Sequence, residues 1–241
     1  MSFQQVRAPA PLRELAECLW TAQGPRRGHI LPDGCMDLVA VDGTILVAGP
    51  DTTAHISEQC GNLARGIRFR PGALPRLLGV PAAELRNIRV PLRELRADIT
   101  ERSLGTAAVA LLRNADGAGE TSPWSVPQLA RVTDRLAHGA AVSSVADEIG
   151  WSARTVQRQC AAVYGYGPAT LRRVLRFRRA VALLRAGTPP ADAAVWAGYA
   201  DQPHLHREVR EFAGLAVSDL AQPGSGANRS TVVPSGSTTL A

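Results

Sequence analysis

The sequence contains no lysine: all 27 of its basic residues are arginine. A coding bias accounts for much of that, yet it leaves the chain with flat, always-protonated guanidinium forks that fit carboxylate, phosphate and the edge of guanine. Long apolar runs are missing as well. No stretch approaches about 18 consecutive apolar residues, and the N-terminal MSFQQVRAPAPLREL lacks the apolar centre of a secretory signal, so a cytoplasmic chain with no membrane partner is expected. Cysteine is sparse. Cys18, Cys35, Cys60 and Cys160 show neither CxxC spacing nor a paired pattern, which excludes a disulfide framework and a zinc finger and predicts reduced thiols, no metal and no cofactor.

What is present suits two modest domains. The 241 residues are enough for two cores, and the net charge of +6 is unevenly spread. Residues 1–124 carry 14 Arg against 13 acids, whereas residues 125–221 carry 12 against 8. The C-terminal half is the basic one, and a basic domain attracts polyanions, of which nucleic acid is the commonest.

Residues 1–113 read as mixed β and α. In MDLVAVDGTILVAG two β-rich runs flank Asp42-Gly43, a pair that favours the I′ turn, and a hairpin is predicted. Further strands are predicted near residues 29–31, 53–57 and 64–69, giving a small sheet or partial barrel. After Pro71, the segments ALPRLLG, PAAELRNI, VPLRELRADI and SLGTAAVALLRN read as short helices laid over one face of that sheet. The run NADGAGETSP (114–123) has the composition of a flexible linker. From 124 to 221 the periodicity is helical, and the Gly-, Ser-, Thr- and Pro-rich segment 222–241 is expected to be disordered. The predicted class is α+β: a small mixed β/α N-terminal domain, a linker, and an all-α domain with two helix-turn-helix units joined by a long helix.

That last expectation comes from an internal repeat. Aligning Gly150 with Gly198 matches VADEIGWSARTVQRQCAAVYG with AAVWAGYADQPHLHREVREFAG, allowing one inserted residue. Each copy has a short helix ending at Gly, an aromatic (Trp151 or Tyr199), an N-cap residue (Ser152 or Asp201) and a second helix. In the first copy Val156, Cys160 and Val163 fall at i, i+4 and i+7 and form the buried stripe, leaving Arg154, Gln157 and Arg158 outward. In the second, Leu205, Val209 and Phe212 form the stripe. Helices built this way enter a major groove, where Arg pairs with guanine and Gln with adenine. The intervening GPATLRRVLRFRRAVALLRAGTPP reads as one long helix, bounded by Pro168 near its first turn and Gly187 as its stop, and it would fix the separation of the two units. Arg172 and Arg173 on it are candidate phosphate contacts, with Arg176, Arg178 and Arg179 beside them.

The segments SSVADEIGWSARTVQRQCAAVYGYGPATLRRVLRFRRAVALLRAG and GYADQPHLHREVREFAG resemble the DNA-binding domain of the AraC/XylS family, over residues 124–220. The resemblance implies a transcriptional regulator with base contacts from Arg154, Gln157 and Arg158 in the first unit and from Gln202, His204, His206 and Arg207 in the second. It implies duplex DNA as partner, RNA polymerase where the regulator activates, and, through the N-terminal domain, a small-molecule effector or a second copy in a homodimer. The chain departs from the family where Cys160, Leu205 and Val209 replace aromatics, where Ala216-Val217 replaces Thr-Pro, and where Pro203 enters the first turn of the second recognition helix.

The segment HILPDGCMDLVAVDG, with VAGPDT and RFRPGALPRLLGVPAAEL, resembles the short, uncharacterised N-terminal domains of some actinobacterial members, shorter than a sugar-binding cupin arm. Other readings compete. Cys18, Cys35 and Cys60 with His29 and His55 are the residue types of a thiol or metal sensor, or else small buried hydrophobes. Asp33 and Asp37 read as solvated acids at a strand-entry turn rather than a catalytic dyad. DNA alkyl-transfer repair would need an activated thiolate, and no Pro-Cys-His motif occurs, so no enzyme is expected. A nonspecific, nucleoid-type DNA binder would share the charge but not the base preference.

Overall fold

The computed structural model describes residues 2–24, 26–59, 63–115 and 119–221, so Cys60 and the segment 222–241 expected to be disordered lie outside the described residues. The strands are β1 (Ser2–Arg7), β2 (Ala16–Gln23), β3 (Arg26–Ile30), β4 (Met36–Val41), β5 (Thr44–Ala48), β6 (His55–Gln59), β7 (Leu63–Phe69) and β8 (Arg89–Pro91). Six of them form one antiparallel sheet in the order β1-β2-β7-β4-β5-β8, and β3 pairs with β6 as a separate ribbon.

The β4–β5 hairpin forms where Asp42-Gly43 predicts it. Both residues have positive φ, 47° and 75°, as a I′ turn requires, and Val41 pairs with Thr44 across it. The expected strands near 29–31, 53–57 and 64–69 correspond to β3, β6 and β7. Strands β1, β2 and β8 were not expected. VPLRELRADI is a helix only over α2 (Leu92–Leu95), because Arg89–Pro91 pairs with the open edge of β5 instead. An unpaired strand edge offers backbone hydrogen bonds that outweigh a weak helical preference.

With α2, the helices α1 (Pro75–Leu78) and α3 (Leu104–Arg113) cover one sheet face. Leu38, Val47, Ile67 and Phe69 from the strands pack there against Leu74, Leu77, Leu85, Ala107 and Leu111. The hydroxyl of Ser103 accepts from the Thr106 N–H at 3.2 Å and starts α3.

Asp33 and Asp37 are not solvated. Both are buried, and Arg68 from β7 reaches each: Nη1 lies 2.6 Å from Asp33 Oδ2, while Nε and Nη2 lie 3.2 and 3.0 Å from the two oxygens of Asp37. The Trp20 indole N–H also donates to Asp37, at 3.1 Å, and Asp33 accepts from the Cys35 N–H at 2.9 Å. A desolvated carboxylate survives only with such partners. Burial still pushes the Asp37 carboxyl above its ordinary range against the pull of Arg68. Gly66 makes room for this cluster, since a Cβ there would run into the Trp20 ring.

The second half holds α4 (Val126–Ala137), α5 (Val142–Glu148), α6 (Ala153–Tyr164), α7 (Pro168–Arg185), α8 (Pro190–Ala197), α9 (Gln202–Ala213) and α10 (Val217–Ala221). Two separate cores form. Leu129, Val132, Leu136, Val145, Val156, Cys160 and Val163 make the first, and Ala193, Ala194, Leu205, Val209, Phe212 and Leu220 the second. The long helix α7 enters both, sending Leu171 and Leu175 into one and Val174, Phe177, Val181 and Leu184 into the other. Of the expected linker, residues 119–123 are folded, with Thr121 buried and a turn closed by Ser122 N–H on the Gly119 carbonyl. Among the described residues no helix is long and apolar enough to cross a membrane.

Candidate nucleic-acid interface

Each unit is built by local chemistry. A capping box starts α4: Ser125 accepts from the Gln128 N–H while the Gln128 side chain accepts from the Ser125 N–H. After α5, Gly150 takes φ 71°, a left-handed turn that suits glycine, and Trp151 packs on Trp124 with ring centres 5.7 Å apart. Ser152 then caps α6 by accepting from the Thr155 N–H at 3.1 Å. The second unit repeats this with Gly198 at φ 88°, Tyr199, and Asp201 accepting from the His204 N–H at 2.6 Å to start α9.

The buried stripes are those the spacing predicts. Val156, Cys160 and Val163 on α6 pack toward Val145 and Ala146 of α5, while Leu205, Val209 and Phe212 on α9 pack toward Ala193, Ala194 and Ala197 of α8. That leaves Arg154, Gln157 and Arg158 exposed on α6, and Gln202, His206 and Arg207 exposed on α9. Gln202 Nε2 and His206 Nε2 approach to 3.3 Å, one turn apart on that outer face. Arg172 on α7 is exposed too.

His204 and Arg173 are placed differently from the other seven candidates. His204 lies edge-on to the Tyr199 ring at 5.1 Å, with its Nε2 at 3.5 Å from Arg176 Nη2. Arg173 pairs with Glu208 at 2.9 Å and Glu211 at 2.6 Å, and its guanidinium sits 4.9 Å from the Phe212 ring centre. Sequence reasoning missed Glu208, a carboxylate 2% exposed in α9 itself. Arg176 joins it there, Nη2 to Oε1 at 2.8 Å, while stacking over Tyr199 at 4.4 Å. Burial acts against the charge of Glu208, but hydrogen bonds from Arg176 and Arg173 outweigh it and hold the carboxyl below its usual range. The only sequence signal for this node was a Glu set within the apolar stripe of α9, three residues after Leu205 and four before Phe212.

Arg179 was also missed as a tie between units. It donates through Nη2 to the Ala137 carbonyl at 3.2 Å and through Nη1 to the Ala197 carbonyl at 3.4 Å, serving the unsatisfied C-terminal ends of α4 and α8 at once.

Cys160 is buried in the first helical core, Cys35 is buried beside Arg178 and Asp33, and Cys18 is half-buried. Burial pushes Cys160 up to about 12 and Cys18 to about 11, and drives Cys35 well above its ordinary value. A thiol held protonated is a poor nucleophile and a poor soft-metal ligand. Among the described residues no group of three or more His, Cys, Asp and Glu is placed to hold a metal ion.

Residues 145–222 match the family described as a helix-turn-helix domain, and residues 4–91 match a domain of unknown function, DUF6597. No curated protein matches the chain. Among solved structures it is similar to ToxT from Vibrio cholerae, 10% identical over 92% of this chain and 98% of that one, TM-score 0.47. ToxT from the O395 strain of Vibrio cholerae is 9% identical over 83% and 96%, TM-score 0.45. Wild-type ToxT of Vibrio cholerae strain SCE256 bound to an unsaturated fatty acid is 7% identical over 86% and 94%, TM-score 0.43.

Proposed function

We propose that this chain, a DNA-binding transcriptional regulator with an AraC-type helix-turn-helix domain behind a DUF6597 domain, reads a specific two-part sequence with α6 and α9 in successive major-groove segments. One observation carries the reading. Two helices of like construction, each anchored by an apolar stripe, present exposed polar side chains in their first two turns: Arg154, Gln157 and Arg158 on one, Gln202, His206 and Arg207 on the other. Arginine and glutamine are the side chains that make paired hydrogen bonds to guanine and adenine edges.

We divide the chain accordingly into a regulatory or dimerisation domain (1–113), a connector (114–123) and the DNA-binding domain (124–221). Duplex DNA is the partner the reading requires. RNA polymerase is a second partner where the bound regulator activates, and a homodimer or a small-molecule effector would act through the N-terminal domain.

Selection of random duplexes by the full-length chain at near-physiological salt tests the reading. The expected result is a motif with two information-rich blocks about one helical turn, roughly 34 Å, apart. Salt-sensitive binding that enriches no motif would instead mark a nonspecific DNA binder, whose affinity comes from phosphate contacts alone.

A further inference from the structure

The two helix-turn-helix cores share only α7 among their helices, so packing along one helix would be all that sets the separation of α6 and α9. A second connection exists in the N-terminal domain. The segment after β5 runs across the C-terminal ends of both recognition helices. Pro50 lies on Gly165, the residue that ends α6 with φ 83°, where a Cβ would collide with the proline ring. The Tyr166 hydroxyl then donates to the Asp51 carbonyl at 3.1 Å. Burial pushes this phenol well above its ordinary value and so keeps it a donor. Ala54 N–H donates to the Phe212 carbonyl at 2.6 Å, one of the end carbonyls of α9 that have no partner within their own helix.

The segment is itself fixed. Gly49 N–H donates to the Ile88 carbonyl at 3.0 Å and Asn87 N–H to the Pro50 carbonyl at 3.1 Å. The Asn87 side chain accepts from the Thr52 N–H at 2.8 Å, and Arg89 holds both oxygens of Asp51, at 2.7 and 2.5 Å. Beside it, Leu31 inserts into the second core. The opposite, N-terminal ends of α6 and α9, which carry the exposed Arg154, Gln157, Gln202 and His206, are left open.

We propose that residues 50–54 are a strap by which the N-terminal domain sets the distance between the two recognition helices and so selects the spacing of the two-part DNA site. The inference rests on the two-helix reading above. Moving one block by a base pair shifts it about 3.4 Å and turns it about 35° around the duplex axis, a displacement that a strapped pair cannot follow and a looser pair follows in part.

The test is a titration of the full-length chain against the selected two-block site and against duplexes whose block separation is changed by one and two base pairs. Ala54→Pro removes the donor to Phe212, and Tyr166→Phe removes the donor to Asp51 while keeping the ring; thermal melts check that each folds. Wild type is expected to lose about tenfold in affinity for a one-base-pair change. In the variants that loss falls to about threefold, with base preference inside each block unchanged. If Ala54→Pro does not fold, Tyr166→Phe decides by the same rule. Folded variants with the wild-type spacing profile overturn the strap alone. A wild type that selects one block or none overturns the two-helix reading and the strap with it.

Discussion

Arg178 Nη2 lies 2.8 and 2.7 Å from the two carboxylate oxygens of Glu17, joining the helix shared by both helix-turn-helix units to strand β2 of the sheet. Its Nη1 points at Cys35 Sγ, 3.3 Å away, below the Asp33–Arg68–Asp37 cluster. Around it, Gly34 faces Leu175 and Leu171, Gly72 faces Val163, Leu129 and Tyr164, and Arg76 donates to the Trp124 carbonyl at 3.2 Å. The two halves of the chain therefore meet through a packed seam, and Arg178 is its central charge.

Truncating that charge tests the seam. Arg178→Met should destabilise the chain by about 2 kcal/mol, below the usual cost of breaking a fully buried pair because both side chains keep some exposure to water. Glu17→Gln should cost less, since the amide still accepts one hydrogen bond. Urea unfolding followed by tryptophan fluorescence measures both. A loss for Arg178→Met under about 0.5 kcal/mol would mean the pair behaves as a surface ion pair and contributes little to holding the halves together.

Base reading by α6 makes a distinct prediction. Gln157→Ala and Arg158→Ala should each weaken binding to the best site by about 1–3 kcal/mol and relax preference at one or two positions of a single block, leaving the other block's preference intact. Repeating the duplex selection with each variant reads this directly. Unchanged preference at every position would remove these residues from base recognition.

Much of this architecture is legible in the sequence because its causes are local. Asp42-Gly43 makes its own turn, Ser152 and Asp201 cap the helix that follows them, and Val156, Cys160 and Val163 announce a buried face by spacing alone. What escaped depends on partners distant in the chain. The acids Asp33 and Asp37 look solvated until the pairing of β4 with β7 brings Arg68 between them. Strand β8 exists because β5 offers an edge, and β1 because β2 does; neither short segment carries a strong pattern of its own. Arg173 has the composition of a phosphate contact, but α9 lies across α7 and supplies Glu208 and Glu211 to it.

The thiols should be quiet. At about pH 8 a free cysteine is substantially thiolate, whereas Cys35 and Cys160 are buried with their ionisation pushed far above that. Brief maleimide treatment of the folded chain, resolved by peptide mass, should leave these two unlabelled, label partly exposed Cys18 slowly, and modify all of them once the chain is unfolded. Rapid labelling of Cys35 without loss of fold would reopen the thiol-sensor reading.

Arg172 and Arg173 are neighbours in sequence with different expected signatures. Exposed Arg172 is available to phosphate, so Arg172→Ala should weaken binding to all sequences about equally and reduce the salt slope by about 1. Arg173 is tied to two carboxylates and stacked on Phe212, so Arg173→Ala should lower stability by about 1–2 kcal/mol while changing the salt slope much less. Binding isotherms at several salt concentrations, paired with urea unfolding, separate the two. Equal salt-slope changes would show that Arg173 leaves Glu208 when DNA arrives.

Glu208 gives the second recognition helix a pH signature whose sign follows from its partners. Burial alone would raise its carboxyl, but Arg176 and Arg173 hold it below the ordinary 4.5, so the unfolded chain takes up this proton more readily than the folded one. The stabilisation is therefore complete above the ordinary value and is lost as pH falls through the native value. Glu208→Gln should cost about 2–3 kcal/mol near neutral pH, because it leaves two guanidinium groups short of their counter-charge, and the gap from wild type should narrow below about pH 4. Asp37 runs the other way: burial raises its carboxyl, so its contribution is present at low pH and declines as pH rises through the native value. Both chains carry Asp37 unchanged, so it cancels when the two stability curves are subtracted. A gap between wild type and Glu208→Gln that stays constant from about pH 7 down to pH 3 would mean that Glu208 is not held ionised by the arginines of α7.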